Sequence, residues 1–188
     1  MLRITPFMAS VAALLALLGA APSVQAQSFD LIIRGGMVLD GSGNPAITAD
    51  VGVQAGVIVA VENLSNATAT RTINATGLFV MPGFIDMHSH ADRALFSGGV
   101  ELRRASNLVA QGITTVVFGP DGRNPAWPLG DEIAGYRSGG TALNIVPMVG
   151  HGTVRSVAMG DDYERHATEA EIVRMVQEVR LGMEVGAW

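Results

Sequence analysis

From about Val80 onward the chain repeats one rhythm, a short apolar run rich in β-branched residues followed by a stretch with helical period. Phe79-Val80-Met81 with residues 83–88 reads as one buried strand, and Ile113–Phe118 and residues 142–149 read as two more. Between the first two, residues 100–111 carry Leu102, Ala105, Leu108 and Val109 on one helical face, with Gly112 in the usual stop position. A second helix is expected between Pro128 and Tyr136. A third follows the helix-start signal Thr168-Glu169-Ala170-Glu171, with Ile172, Met175, Val176, Val179 and Met183 at spacings of three and four. Apolar strands alternating with helices predict the α/β class, a parallel sheet covered by helices. Three βα units are expected, with Gly186-Ala187-Trp188 leading toward a fourth strand.

Before this point the text is strand and turn. Leu31-Ile32-Ile33 runs into Gly35-Gly36, Met37-Val38-Leu39 into Asp40-Gly41-Ser42-Gly43, and residues 50–53 and 57–61 flank Gln54-Ala55-Gly56. The Asn/Thr-rich stretch 63–74 reads as loop. Residues 27–79 are therefore expected to form a small β part ahead of the strand–helix part, 80–188. At the N-terminus, Arg3, the apolar run 9–20 and Val24-Gln25-Ala26 have the form of a signal peptide cleaved after Ala26. The run is shorter than the roughly 20 residues a permanent span needs, so an exported, periplasmic or secreted chain beginning at Gln27 is expected. Removing residues 1–26 from 188 leaves 162. A closed eight-fold barrel typically takes roughly 250 residues, so a barrel here is expected to be incomplete.

The formal net charge is −5 and the basic residues form no cluster that could follow a phosphate backbone, which argues against a nucleic-acid partner. Cysteine is absent, so any metal must be held by nitrogen and oxygen. In parallel α/β folds chemistry gathers at the C-terminal ends of the strands. The first strand ends in His88-Ser89-His90, the second runs to Asp121 and the third to His151, while His166 lies in a charged loop. Residues at i and i+2 of an extended segment share a side, so His88 and His90 can converge on one ion, and neutral imidazole suits zinc and its neighbours.

The pieces Leu31-Ile32-Ile33-Arg34-Gly35-Gly36, Asp40-Gly41 and Pro82-Gly83-Phe84-Ile85-Asp86, followed by His88 and His90, resemble the amidohydrolase superfamily. Three longer motifs are similar to its N-acyl-D-amino-acid deacylase branch. They are Asp86-Met87-His88-Ser89-His90-Ala91-Asp92, Gln111-Gly112-Ile113-Thr114-Thr115-Val116-Val117 and Gly150-His151-Gly152-Thr153-Val154-Arg155. The resemblance runs from about Asp30 to Trp188. It implies a barrel with a side β-sandwich, one or two divalent ions, zinc foremost, and water activated to attack the carbonyl of a small-molecule amide.

On that resemblance His88 and His90 match the first-strand ligands. The branch usually bridges its ions with a cysteine in a Gly-Asn-Cys-Gly context, whereas this chain reads Gly119-Pro120-Asp121-Gly122. Asp121 is the candidate substitute, and a simple tight turn is the competing reading. His151 is a candidate substrate residue or a structural histidine in a glycine-flanked turn. Arg155 would meet a substrate carboxylate through its bidentate fork, or be a solvated loop arginine. Asp92 would orient a ligating histidine or cap the following turn. The branch's catalytic aspartate, a general base on its eighth strand, is expected beyond Trp188, so these residues alone are not expected to turn over. The expected reaction is hydrolysis of a carbon–nitrogen amide bond, in an N-acyl-D-amino acid or a similar small amide. Cyclic amidohydrolases of the hydantoin or dihydropyrimidine type, a peptidase-like member and a non-catalytic metal-binding relic remain as alternatives.

Overall fold

The longest strand, β1 (Ser28–Val38), organises the first of two units into which the chain divides after Pro82. The computed structural model describes residues 28–188, and the signal peptide expected over 1–26 lies outside the described residues. β1 runs unbroken through Gly35-Gly36, which on sequence separated two strands. Gly35 adopts a φ of 65°, and the pairing with β2 (Ile47–Gln54) shifts register between Ile33 and Gly36, so a bulge absorbs the glycines without ending the strand. Ala55 and Gly56, both at positive φ, turn β2 into antiparallel β3 (Val57–Glu62).

β4 (Thr68–Asn74) pairs in parallel with the first part of β1, and β5 (Phe79–Val80) with its end, giving the order β3-β2-β1-β4 with β5 also beside β1. β4 corrects the loop expected over 63–74. Thr68, Thr70, Thr72 and Ile73 are β-branched residues that suit a pleated surface, and β1 supplies the ladder that an isolated polar stretch lacks. Phe29, Ile32 and Leu64 form the small core of this unit.

In the second unit β6 (Phe84–Asp86), β7 (Ile113–Phe118) and β8 (Asn144–Pro147) form a parallel sheet in chain order. Between β6 and β7 lie α1 (Asp92–Ser97), α2 (Val100–Arg103) and α3 (Ser106–Val109). α4 (Leu129–Gly139) joins β7 to β8, and α5 (His151–Met159) and α6 (Glu169–Glu184) follow. The α/β class expected from the apolar rhythm is therefore present, as three βα units of the barrel type. β7 is central, with Val116, Val117 and Phe118 all buried, and Leu95, Ala105, Tyr136 and Leu143 cluster with Val116 and Phe118. Fully burying such an apolar side chain contributes roughly 1.5–3 kcal/mol.

Three further details differ from the sequence reading. Phe79-Val80 pairs with β1 in the first unit, and β6, which among the described residues has a neighbour on one side only, leaves Phe84 and Ile85 exposed instead of buried. The helix expected over 100–111 breaks at Ala105, whose left-handed conformation (φ 46°, ψ 39°) starts α3 in a new direction. Ala105 is consequently buried while Leu102 and Val109 are exposed, so the expected common face is lost. Finally, α5 begins at His151, where a loop was expected after the third strand. Its buried Val154 and Ala158 have helical spacing, but the glycines around His151 obscure the start. α6 starts as expected, with a reciprocal cap: the Glu171 amide donates to Thr168 Oγ1 at 3.4 Å, and the Thr168 amide donates to Glu171 Oε2 at 2.8 Å.

Candidate metal centre

His88 and His90 follow β6 directly, and the residue between them explains their placement. Ser89 is buried and its amide donates to the Val117 carbonyl at 3.1 Å, extending the pairing with β7 beyond the end of β6. The His88 amide donates to Asp86 Oδ1 at 3.2 Å. Their imidazoles are left exposed, with ring centroids 5.2 Å apart.

Asp121 reaches them from the next strand. Gly119-Pro120-Asp121-Gly122 is a hydrogen-bonded turn, the Gly122 amide donating to the Gly119 carbonyl at 3.0 Å, with φ of 88° at Gly119 and 81° at Gly122. Positive φ is where glycine is required, which is why this turn is glycine-flanked. The motif is a tight turn, and the carboxylate it presents faces both histidines. Oδ1 lies 3.3 Å from His88 Nε2, and Oδ2 lies 3.1 Å from His90 Nε2.

The chemistry of this donor set fits a divalent cation. One ligand atom from each of the three residues falls within 4.8 Å of the other two. Two ligands of a tetrahedral zinc, with bonds of about 2.0–2.1 Å, are separated by roughly 3.3 Å. The distances from the two imidazole nitrogens to the two oxygens of the Asp121 carboxylate, 3.3 and 3.1 Å, are close to that separation.

The other candidates fall elsewhere. His151 opens α5 and, with Arg155, Val149, Val154, His166 and the apolar side of α6, lines a cavity of about 600 Å³. Arg155 is not a solvated loop residue. Its Nε and Nη2 donate to the Tyr163 carbonyl at 3.0 and 2.6 Å, and Nη2 also donates to the Arg165 carbonyl at 2.7 Å, which anchors the loop before α6. Asp92 is the first residue of α1, whose N-cap position, Ala91, makes no side-chain cap bond.

Residues 71–187 match the sequence profile of the family described as the amidohydrolase family. The chain belongs to the amidohydrolase family. Among curated amidohydrolase relatives, a D-aminoacylase from Alcaligenes xylosoxydans xylosoxydans is 36% identical over 183 residues, covering 86% of this chain and 37% of the relative. An N-acyl-D-aspartate deacylase from the same organism is 35% identical over 181 residues, covering 85% of this chain and 35% of the relative. The chain thus spans little more than a third of the length of these relatives.

Among solved structures, an N-acyl-D-glutamate deacylase from Bordetella bronchiseptica, complexed with zinc and a phosphonate mimic of the tetrahedral intermediate, superposes with a TM-score of 0.78. Its identity to this chain is 31%, covering 86% of this chain and 37% of that one. A D-aminoacylase described as having a binuclear metal centre gives a TM-score of 0.76 at 36% identity, covering 85% and 37%. The amidohydrolase chain shares the fold of these deacylases over the described units.

Two polar residues behind the amidohydrolase site were not singled out on sequence. Asn124 and Glu132 hydrogen-bond to each other beneath the Asp121 turn. No short pattern marks them, because Asn124 stands in turn-like text before Pro125, and Asp131-Glu132 reads as an ordinary acidic first helical turn.

Proposed function

We propose that the protein, as its gene encodes it, hydrolyses the amide bond of N-acyl-D-amino acids or similar small amides, with a divalent cation held by His88, His90 and Asp121. The observation that carries this reading is the convergence of those three side chains at the C-terminal rim of a parallel sheet. The likeness to D-amino-acid deacylases gives the convergence its reaction class. When bound, the ion polarises the amide carbonyl and lowers the pKa of water. The chain supplies two imidazole nitrogen donors and one carboxylate oxygen donor, a set that suits zinc. Asp121 offsets cationic charge, and the Gly119–Gly122 turn fixes the direction from which its carboxylate approaches.

The cavity lined by His151 and Arg155 falls in the range of about 300–1,000 Å³ typical of small-molecule sites. Arg155 would take a substrate carboxylate by exchanging the Tyr163 and Arg165 carbonyls for it. Metal content by elemental analysis, measured beside release of free amino acid from an N-acetyl-D-amino acid, tests the reading. Bound zinc together with hydrolysis is the expected result, and undiminished hydrolysis by protein stripped of metal would overturn it.

Arg3, the apolar run 9–20 and Val24-Gln25-Ala26 support export, with cleavage after Ala26. Among the described residues no helix is long and apolar enough to cross a membrane. Intact-mass measurement of periplasmic product should give a chain starting at Gln27, and retention of residues 1–26 in a membrane fraction would count against export.

A further inference from the structure

Asn124, three residues beyond Asp121, commits its side chain to holding loops together. Its Nδ2 donates to Glu132 Oε2 at 2.9 Å and to the Met148 carbonyl at 3.0 Å, and its Oδ1 accepts from the Gly150 amide at 2.8 Å. Its own amide donates to Thr153 Oγ1 at 2.9 Å, and the Thr153 amide donates to the Gly122 carbonyl at 2.9 Å. Gly122 is the neighbour of Asp121, so this net ties the Asp121 turn to the loop between β8 and α5. The fit is tight: a Cβ on Gly150 would lie 2.6 Å from Asn124 Oδ1 and 2.7 Å from the Gly122 carbonyl oxygen.

Glu132 closes the net from α4. Its side chain is fully buried, and among the described residues Oε1 has no partner within direct hydrogen-bond geometry. Burial pushes its carboxyl up to about 7, against the lowering effect of the Asn124 amide and the Tyr136 hydroxyl and with a further rise from the charge of Asp92. A half-satisfied buried carboxyl is destabilising, and an apolar residue at this helix position would avoid that cost. Stability therefore does not account for Glu132, and of its two polar contacts, the Tyr136 hydroxyl and the Asn124 amide, only Asn124 leads on to the Asp121 turn.

We propose that Glu132 is a positioning residue: through Asn124 it fixes the turn that carries Asp121, so that the carboxylate meets both imidazoles. The inference rests on the metal-centre reading above. Leucine at position 132 fills the space but leaves Asn124 Nδ2 with only the Met148 carbonyl, and the amide is then free to turn. Glutamine keeps the volume and, through Oε1, an acceptor for Asn124.

The test is zinc affinity, measured by chelator competition in the protein as encoded, for Glu132→Leu, Glu132→Gln, Asp121→Ala and the Asp121→Ala/Glu132→Leu pair. Glu132→Leu should weaken zinc binding about tenfold, the scale of an outer-shell partner, while Glu132→Gln stays within about twofold of wild type. With Asp121 already removed, Glu132→Leu should cost nothing further, because the group being positioned is gone. A tenfold loss that persists in the Asp121→Ala background marks a merely structural role and overturns the proposal, as does wild-type affinity in folded Glu132→Leu. If Glu132→Leu does not fold, Asn124→Ala takes its place in the same cycle, where a non-additive loss supports the proposal and an additive or absent loss overturns it. A wild-type protein that binds no zinc overturns the metal-centre reading itself, which separates the two failures.

Discussion

Asp121 and Glu132 are carboxyl groups eleven positions apart in the chain, in opposite surroundings. The Asp121 side chain is 61% exposed and faces two imidazole nitrogens, while Glu132 is 0% exposed and faces the Asn124 amide and the Tyr136 hydroxyl. Water keeps the ionised form of an exposed carboxylate inexpensive, and exposure leaves its lone pairs open to a cation. A buried carboxyl retains its proton instead and serves as a hydrogen-bonding fixture. On the proposed reading one chemical group does two jobs, and solvent access decides which.

The largest effect should come from the nitrogen side of the exposed group. Removing a ligand outright must exceed the 10–100-fold typical of an outer-shell partner, so His88→Ala and His90→Ala should each lower zinc affinity at least about a hundredfold and abolish most amide hydrolysis. Elemental analysis and a hydrolysis assay on the same preparations check this. Wild-type values in both variants would remove the chemical half of the contrast.

The buried member is tested by pH. With its folded pKa raised to about 7 from an ordinary 4.5, Glu132 is protonated in both folded and unfolded states below pH 4.5, and contributes nothing there. Between pH 4.5 and 7 the folded state holds the proton and the unfolded state has lost it, so stability falls as pH rises. Above about pH 7 the full penalty applies, on the order of 3 kcal/mol. Glu132→Gln should remove this slope and be more stable than wild type at pH 8, with the difference vanishing near pH 4. Glu171 does not blur the window: hydrogen bonding and charge pairing with Arg165 hold its carboxyl well below the usual range, so its contribution is lost only below about pH 4.5. Urea denaturation at several pH values measures the difference, and equal slopes in both proteins would show that Glu132 is not kept protonated by burial.

The same contrast explains what could be read before the structure. β7 was legible because a central parallel strand must be apolar on both faces, and α6 because Thr168 and Glu171 satisfy backbone amides that every helix start leaves open. His88 and His90 were legible because spacing alone nearly determines where two rim histidines point. Glu132 was not, since its burial comes from tertiary contacts and an acidic residue in a first helical turn is ordinary. Ala105 carries no sign of its left-handed backbone, because alanine is a strong helix former and nothing local argues for a break. β4 was missed where threonines among asparagines read as loop, although their β-branched content favoured a strand once β1 was available to pair.

The finest test addresses whether Asp121 contributes charge or only shape. Asp121→Asn keeps the size of the side chain and one carbonyl oxygen, and asparagine is as acceptable as aspartate within the Gly119–Gly122 turn. If the carboxylate only shaped the turn, zinc content and hydrolysis would stay at wild-type levels. If it offsets the charge of a bound cation, the variant should bind zinc about tenfold more weakly, the scale of a coordinating-shell change that retains one donor. Folding stability should move by less than about 0.5 kcal/mol, because the side chain is exposed and the turn's own hydrogen bond, Gly122 amide to Gly119 carbonyl, is between backbone groups. A metal effect without a stability effect at position 121, beside a pH-dependent stability effect at position 132, is the signature that the two carboxyls divide the work as their surroundings imply. An equal loss of both in Asp121→Asn would show that the turn, and not the charge, is what the site needs.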